Sequence, residues 1–224
     1  MMSRTSVTLA AVVASLVAIL ATPATAAILL GQLDDFEGGT LQGWQAGSNN
    51  PYGPTNIASG GPSGAGDHYL HLASEGFGSG GRLVAFNSEQ WTGDYLDAGV
   101  SAIQVQVNNL GTTDLVLRLI LIGAGSLTTA SPVEVAAGSG WNTVSFSLAS
   151  ANLAGSSYDV VMSNVAELNL VHSPTPVGHR TGAPNIVAQL GIDNVTAVPE
   201  PATVLLAALG FAAVMCRAAR KLRS

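Results

Sequence analysis

The 224-residue sequence predicts an all-β sandwich set between two apolar chain ends. Three observations carry the prediction. Apolar residues in the middle of the chain recur at every second position, and Gly, Pro, Asn and Ser separate the runs. No stretch between residues 28 and 198 repeats its apolar positions at the helical spacing. About eight to ten short strands punctuated in this way close into two packed sheets rather than one open one.

Taken in order, the first element is not part of the fold. Arg4, an apolar run over residues 9–21 broken only by Ser15, and Ala24-Thr25-Ala26 form the positive, apolar and small-residue parts of a secretory signal peptide, assigned to residues 1–27. The exported domain then occupies residues 28–198. After "DDFEGGTLQGWQAG" comes a long loop, "QAGSNNPYGPTNIASGGPSGAGD", and then the strand candidates "HYLHLAS" and "GRLVAF". "SAIQVQV" alternates cleanly, with Ile103, Val105 and Val107 on one face and Gln104 and Gln106 on the other. "DLVLRLILIG" is apolar on both faces apart from Arg118 and predicts a strand covered on both sides. "SPVEVAA", "WNTVSFSL" and "ELNLVH" follow; in the second, Val144, Phe146 and Leu148 oppose Thr143, Ser145 and Ser147. A second long loop, "HSPTPVGHRTGAPN", precedes the last strand, "IVAQLGIDNVTAV".

The C-terminal segment, residues 199–224, has three parts. Pro199-Glu200-Pro201 cannot continue a helix into the domain. Residues 202–216 hold no charge and read as a short transmembrane helix, and Arg217, Arg220, Lys221 and Arg223 form a basic flank that places this end in the cytoplasm. As a helix the run reaches roughly 22 Å, so it depends on snorkelling basic side chains to span. "VPEP", the apolar run and the Arg-rich end resemble a PEP-CTERM sorting signal. The resemblance implies an exosortase-type membrane protease as partner, a transient inner-membrane anchor, and a destination at the cell surface or in the extracellular matrix of a Gram-negative bacterium.

Charge limits what the exported domain binds. It has three arginines (Arg82, Arg118, Arg180), no lysine and thirteen acids, a formal net charge of −10. Nucleic acid is excluded as a partner for want of a basic footprint, and an anionic polysaccharide is repelled unless a divalent cation intervenes. Cys216 is the single cysteine, so no disulfide forms. There is no G-x-S-x-G elbow, H-E-x-x-H pair or cysteine nucleophile, which leaves a glycoside hydrolase as the weakest functional reading. His68 and His71 are three apart on a strand-like run and cannot converge on one ion.

"DDFEGG", "GPSGAGDHYLHL" and "LGIDNVTAV" resemble strands of jelly-roll carbohydrate-binding modules, and the resemblance implies a jelly-roll-like β-sandwich. It also implies a structural Ca²⁺ between Glu37 and Asp193, with Asp35 and Asp67 as further ligands. Among the aromatics, Trp44 and Trp141 sit in strand-like runs and read as core or turn packing. Trp91 and Tyr95, in the polar stretch "SEQWTGDYLD", are the candidate sugar platform. The functional expectation is a non-catalytic surface or matrix protein; the alternative is a carbohydrate-binding module or adhesin that recognises exopolysaccharide.

Overall fold

The computed structural model describes residues 27–47 and 50–199. The signal peptide, the apolar run and the basic flank of the sequence reading lie outside the described residues, as do Glu200 and Pro201.

Thirteen strands are described: β1 (Leu33–Asp34), β2 (Trp44–Gln45), β3 (Thr55–Ile57), β4 (Tyr69–Glu75), β5 (Val84–Asn87), β6 (Ala102–Asn109), β7 (Leu115–Ile122), β8 (Ser126–Thr129), β9 (Val133–Val135), β10 (Trp141–Ser147), β11 (Leu153–Gly155), β12 (Glu167–His172) and β13 (Val187–Val198). A single turn of α-helix, α1 (Tyr158–Met162), interrupts them. All sheet pairings are antiparallel. One sheet runs β10-β6-β13-β4-β3, with β1 added to β13; the other runs β11-β8-β7-β12-β5-β2, with β9 added to β7. The first and last strands are therefore neighbours, Leu33 opposite Thr196 and Asp34 opposite Val195.

Alternation explains the core. On β6, Ile103, Val105 and Val107 are buried, and Leu115, Leu117, Leu119 and Leu121 of β7 meet them across the sandwich in one apolar cluster. The other face of β7 is also covered, as its unbroken apolar run predicts. Ile120 joins Val84, Val171 and Ala183 in a second, smaller cluster beneath the loop of residues 173–186, which straps the outside of the second sheet. At about 1.5–3 kcal/mol for each large apolar side chain fully buried, this cover holds the strap down. Arg118 lies under it, 3% exposed, and donates to the carbonyls of Ser173, Thr129, Ala130 and Pro174. Burial depresses its pKa. The only interruption of the apolar strand thus ties the strap to the turn after β8.

The first sheet is covered in part by the loop of residues 58–68, whose Gly60 carbonyl bonds Trp141. Among the candidate residues its outer face carries His71 and Asp193, while Trp91 and Tyr95 lie in the core.

Candidate functional site

Trp91 and Tyr95 do not form a platform. Both are 0% exposed, and the reason is Asp34. This carboxylate, 3% exposed on β1, accepts from the indole Nε1 of Trp44 at 2.8 Å and of Trp91 at 2.6 Å, and from Gln90 Nε2 at 3.2 Å. The indoles stand 6.4 Å apart between centroids. The Tyr95 hydroxyl donates to the Trp91 carbonyl at 3.0 Å. Burial raises the Asp34 pKa, against the two indole hydrogen bonds and the Gln90 contact that lower it. Within the otherwise exposed or half-buried run "SEQWTGDYLD" Trp91 and Tyr95 turn inward, and the sugar-platform reading of these two residues is corrected on that ground.

The four acids assigned to calcium approach one another without forming a cage. Asp193, 1% exposed, sits at a bulge where the β13–β6 register shifts before Thr196. Burial pushes its pKa up to about 7, opposed by the Asn194 amide and helped by the charges of Asp67, Glu37 and Asp35. Each of these carboxylates is engaged locally: Asp193 Oδ1 by the Asn194 N–H, Glu37 Oε1 by the His68 N–H, Asp67 Oδ2 by the Ser63 N–H and Asp35 Oδ1 by the Glu37 N–H. Backbone strain gathers here too, since Phe36 and Asn194 have φ of 55° and 49°. The donors suit Ca²⁺ in kind, all being oxygens. In number they do not: no three acidic, His or Cys side chains are gathered to hold a metal among the described residues. His68 and His71 do not share a ligand position: His68 Nδ1 contacts Asn56 Oδ1 at 2.9 Å, whereas His71 lies on β4 opposite Gly191.

An aromatic surface is present elsewhere. Trp141 is half-buried on β10, outside the core and bonded to the turn at Gly60, the second of the two readings its strand-like run allowed. It pairs with Asn108, which pairs with Gly191, which pairs with His71, so one row crosses the outer face of the first sheet. The indole lies along that row. Its Nε1 donates to the Gly60 carbonyl at 2.9 Å, and its ring meets Tyr69 edge-on at 5.3 Å between centroids. Gly191 makes this possible: a Cβ there would stand 2.9 Å from the Trp141 ring and 3.2 Å from that of Tyr69. Gln104, Gln106, Thr143 and Asn194 line a cleft of about 250 Å³ on the same face. Ala73, Gln189, Leu110 and Val187 line another of about 430 Å³. The result is an edge-to-face aromatic pair with amide and hydroxyl groups around it, a surface that offers ring contact and hydrogen bonding at once. The signal for Trp141 and Tyr69 was present in the alternation, which sets Trp141 beside Thr143 and Ser145, and Tyr69 opposite Leu70 and Leu72.

β13 runs straight out of this sheet into Pro199. A family profile for sorting signals matches residues 197–221. The chain carries a PEP-CTERM protein-sorting motif. The motif marks a PEP-CTERM protein as exported and processed at the membrane. No helix among the described residues is long and apolar enough to cross one.

The folded part of the chain is similar to solved structures that include carbohydrate-binding modules. It matches an exo-β-agarase with a TM-score of 0.53 at 14% identity, over 76% of this chain and 26% of that one. It thus spans only about a quarter of the agarase. It also matches a family 11 carbohydrate-binding module from Clostridium thermocellum, solved with a β-1,3-1,4-mixed-linked tetrasaccharide. That match has a TM-score of 0.51 at 16% identity, over 76% of this chain and 96% of the module. A further structure, the family 11 module of a C. thermocellum cellulosomal cellulase, gives 0.50, 12%, 76% and 95%. No curated protein matches the chain. At these identities the likeness shows the fold: an antiparallel β-sandwich of the carbohydrate-binding-module type.

Proposed function

We propose that this PEP-CTERM protein is a non-catalytic, exported polysaccharide-binding protein of the cell surface or extracellular matrix. Its tail is processed by an exosortase-type protease after a transient stay in the inner membrane of a Gram-negative cell. The observation that carries the binding reading is the partly exposed Trp141–Tyr69 pair, laid over Gly191 on the outer face of the first sheet. Neutral sugar rings offer apolar faces to such a pair and hydroxyls to the surrounding Gln104, Gln106, Asn108 and Thr143. Support from the fold comes from the family 11 modules, one of which was solved with a mixed-linked glucan fragment.

Calcium belongs to the proposal as a stabiliser, not as part of the sugar surface. To hold it, Glu37, Asp35, Asp67 and Asp193 would have to close up from the positions they take in the fold, with backbone carbonyls and water completing the shell, and would then join the first-strand turn to the last strand.

The test is electrophoretic mobility of the protein in native gels containing mixed-linked β-glucan, agarose or exopolysaccharide from the producing cells. Retardation by at least one is expected, and Trp141→Ala should weaken it about 30-fold or more, the cost of truncating a central aromatic contact. Unretarded migration in all three gels would reject the reading.

A further inference from the structure

Two of the three arginines of the exported domain meet in one cleft, on the side of the sandwich away from Trp141. Arg82 reaches it from just before β5, and Arg180 from the strap. Ala46, Gly47, Asn50, Ser79, Val84 and Thr181 complete the lining, and the cleft measures about 190 Å³. The Arg180 guanidinium lies 3.9 Å from the centroid of the Phe86 ring, is paired with Glu167, and reaches Asn169 Oδ1 at 3.4 Å. Its charge is therefore offset. Arg82 differs: Nε donates to the Ala183 carbonyl at 2.7 Å, and no carboxylate pairs with it among the described residues. The fork is fixed at its base, with its terminal nitrogens left to a ligand.

The cleft thus carries one uncompensated positive charge in a domain of net charge −10. The remote acids do not cancel it, because charges beyond about 8 Å are screened at physiological ionic strength. Of the acids nearby, Glu167 is held by Arg180; Glu75, which accepts from the Tyr52 hydroxyl, keeps its charge but is not within ion-pair distance of Arg82. A guanidinium fork matches a carboxylate bidentately. Ser79 and Thr181 add hydroxyls at the rim. At about 190 Å³ the open cleft takes a single sugar unit, and the neighbouring units of a chain would lie outside it.

We propose that this cleft binds the carboxylate of a uronic acid unit in an acidic polysaccharide. The sequence-level expectation that anionic polysaccharide is repelled holds for the domain as a whole and is reversed here by placement. The site shares no residue with the outer face of the first sheet, so the two readings fail separately.

The test uses the full chain in mild detergent and titrates it with glucuronate, glucose, acetate and glucose 6-sulfate by isothermal calorimetry or NMR. Glucuronate should bind saturably, at least about tenfold more tightly than glucose or acetate, and more weakly as salt is raised. Arg82→Gln should cost about tenfold or more. Ser79→Asp, which leaves the Arg82–Ala183 bond in place and sets a carboxylate at the rim, should do the same, whereas Trp141→Ala should change nothing. Equal binding of glucose or acetate, tighter binding of the sulfate ester, or glucuronate binding untouched by both cleft variants would overturn the proposal.

Discussion

Replacing Asp34 by alanine should be among the most damaging single changes in the domain. The variant strips the acceptor from three donors at once: the Trp44 and Trp91 indoles, bonded at 2.8 and 2.6 Å, and the Gln90 amide. Both indoles are essentially out of solvent, at 2% and 0% exposure, so no water replaces the lost oxygen. A buried donor left unpaired costs about 1–3 kcal/mol. Two such donors therefore account for about 2–6 kcal/mol. Removing a desolvated carboxylate recovers part, for a net loss of about 3 kcal/mol, a sizeable share of the 5–15 kcal/mol of a typical domain. Asp34→Asn should be milder, at about 1 kcal/mol, because a single amide oxygen in the Oδ2 position still accepts from both indoles. Urea unfolding followed by tryptophan fluorescence is the assay, since two of the three tryptophans report on this knot. If the alanine variant lies within about 1 kcal/mol of the parent, or if asparagine costs as much as alanine, the carboxylate is not what holds the indoles.

Further outcomes follow from the same geometry. Asp193 has a folded pKa of about 7 against an ordinary 3.8. With chelator present, stability should therefore fall as pH rises from about 4 to 7 and then level off, because the unfolded chain releases the proton first; Asp193→Asn should flatten that profile, and an unchanged slope would remove Asp193 as its cause. At pH 8 calcium should raise the melting midpoint above that in chelator and magnesium should raise it less; coincident curves would leave the four acids as turn and surface charges. Gly191→Ala should cost about 1–3 kcal/mol by overpacking and should also abolish polysaccharide retardation; full retention of retardation would show that the ring positions over Gly191 are irrelevant to binding. Mass spectrometry of the surface-exposed protein should find its C-terminus near residues 198–201, and intact peptides through Arg223 would contradict tail processing.

The long strands were legible because a run of seven or eight residues displays its period. From Ile103 onward β6 follows the alternation residue by residue, and the two-faced apolar run of β7 announced its double cover. β1, β2, β3, β8 and β11 were not legible: two to four residues carry no period, and pairing alone defines them. The knot around Asp34 was hidden for another reason. Its acceptor and the Trp91 donor are 57 positions apart in a polar context that resembles an exposed turn. Pairing of the first and last strands followed from the jelly-roll resemblance and is present. The Arg82–Arg180 cleft could not be read from composition, because net charge sums over the chain while a ligand meets only the local arrangement.

The position of β13 has a mechanical consequence. The strand that leads into residue 199 is an interior one, laddered to β4 over Val187–Ile192 and to β6 as far as Val198, with β1 beside it at Val195 and Thr196. A pull applied through the tail therefore acts along the axis of that strand. The ladder bonds on both sides bear the load together, in shear, instead of opening one after another as they would at an edge strand. The tail's load is thus shared with β6 and β1 near the tail and with β6 and β4 farther along, and no single pair of strands carries it alone.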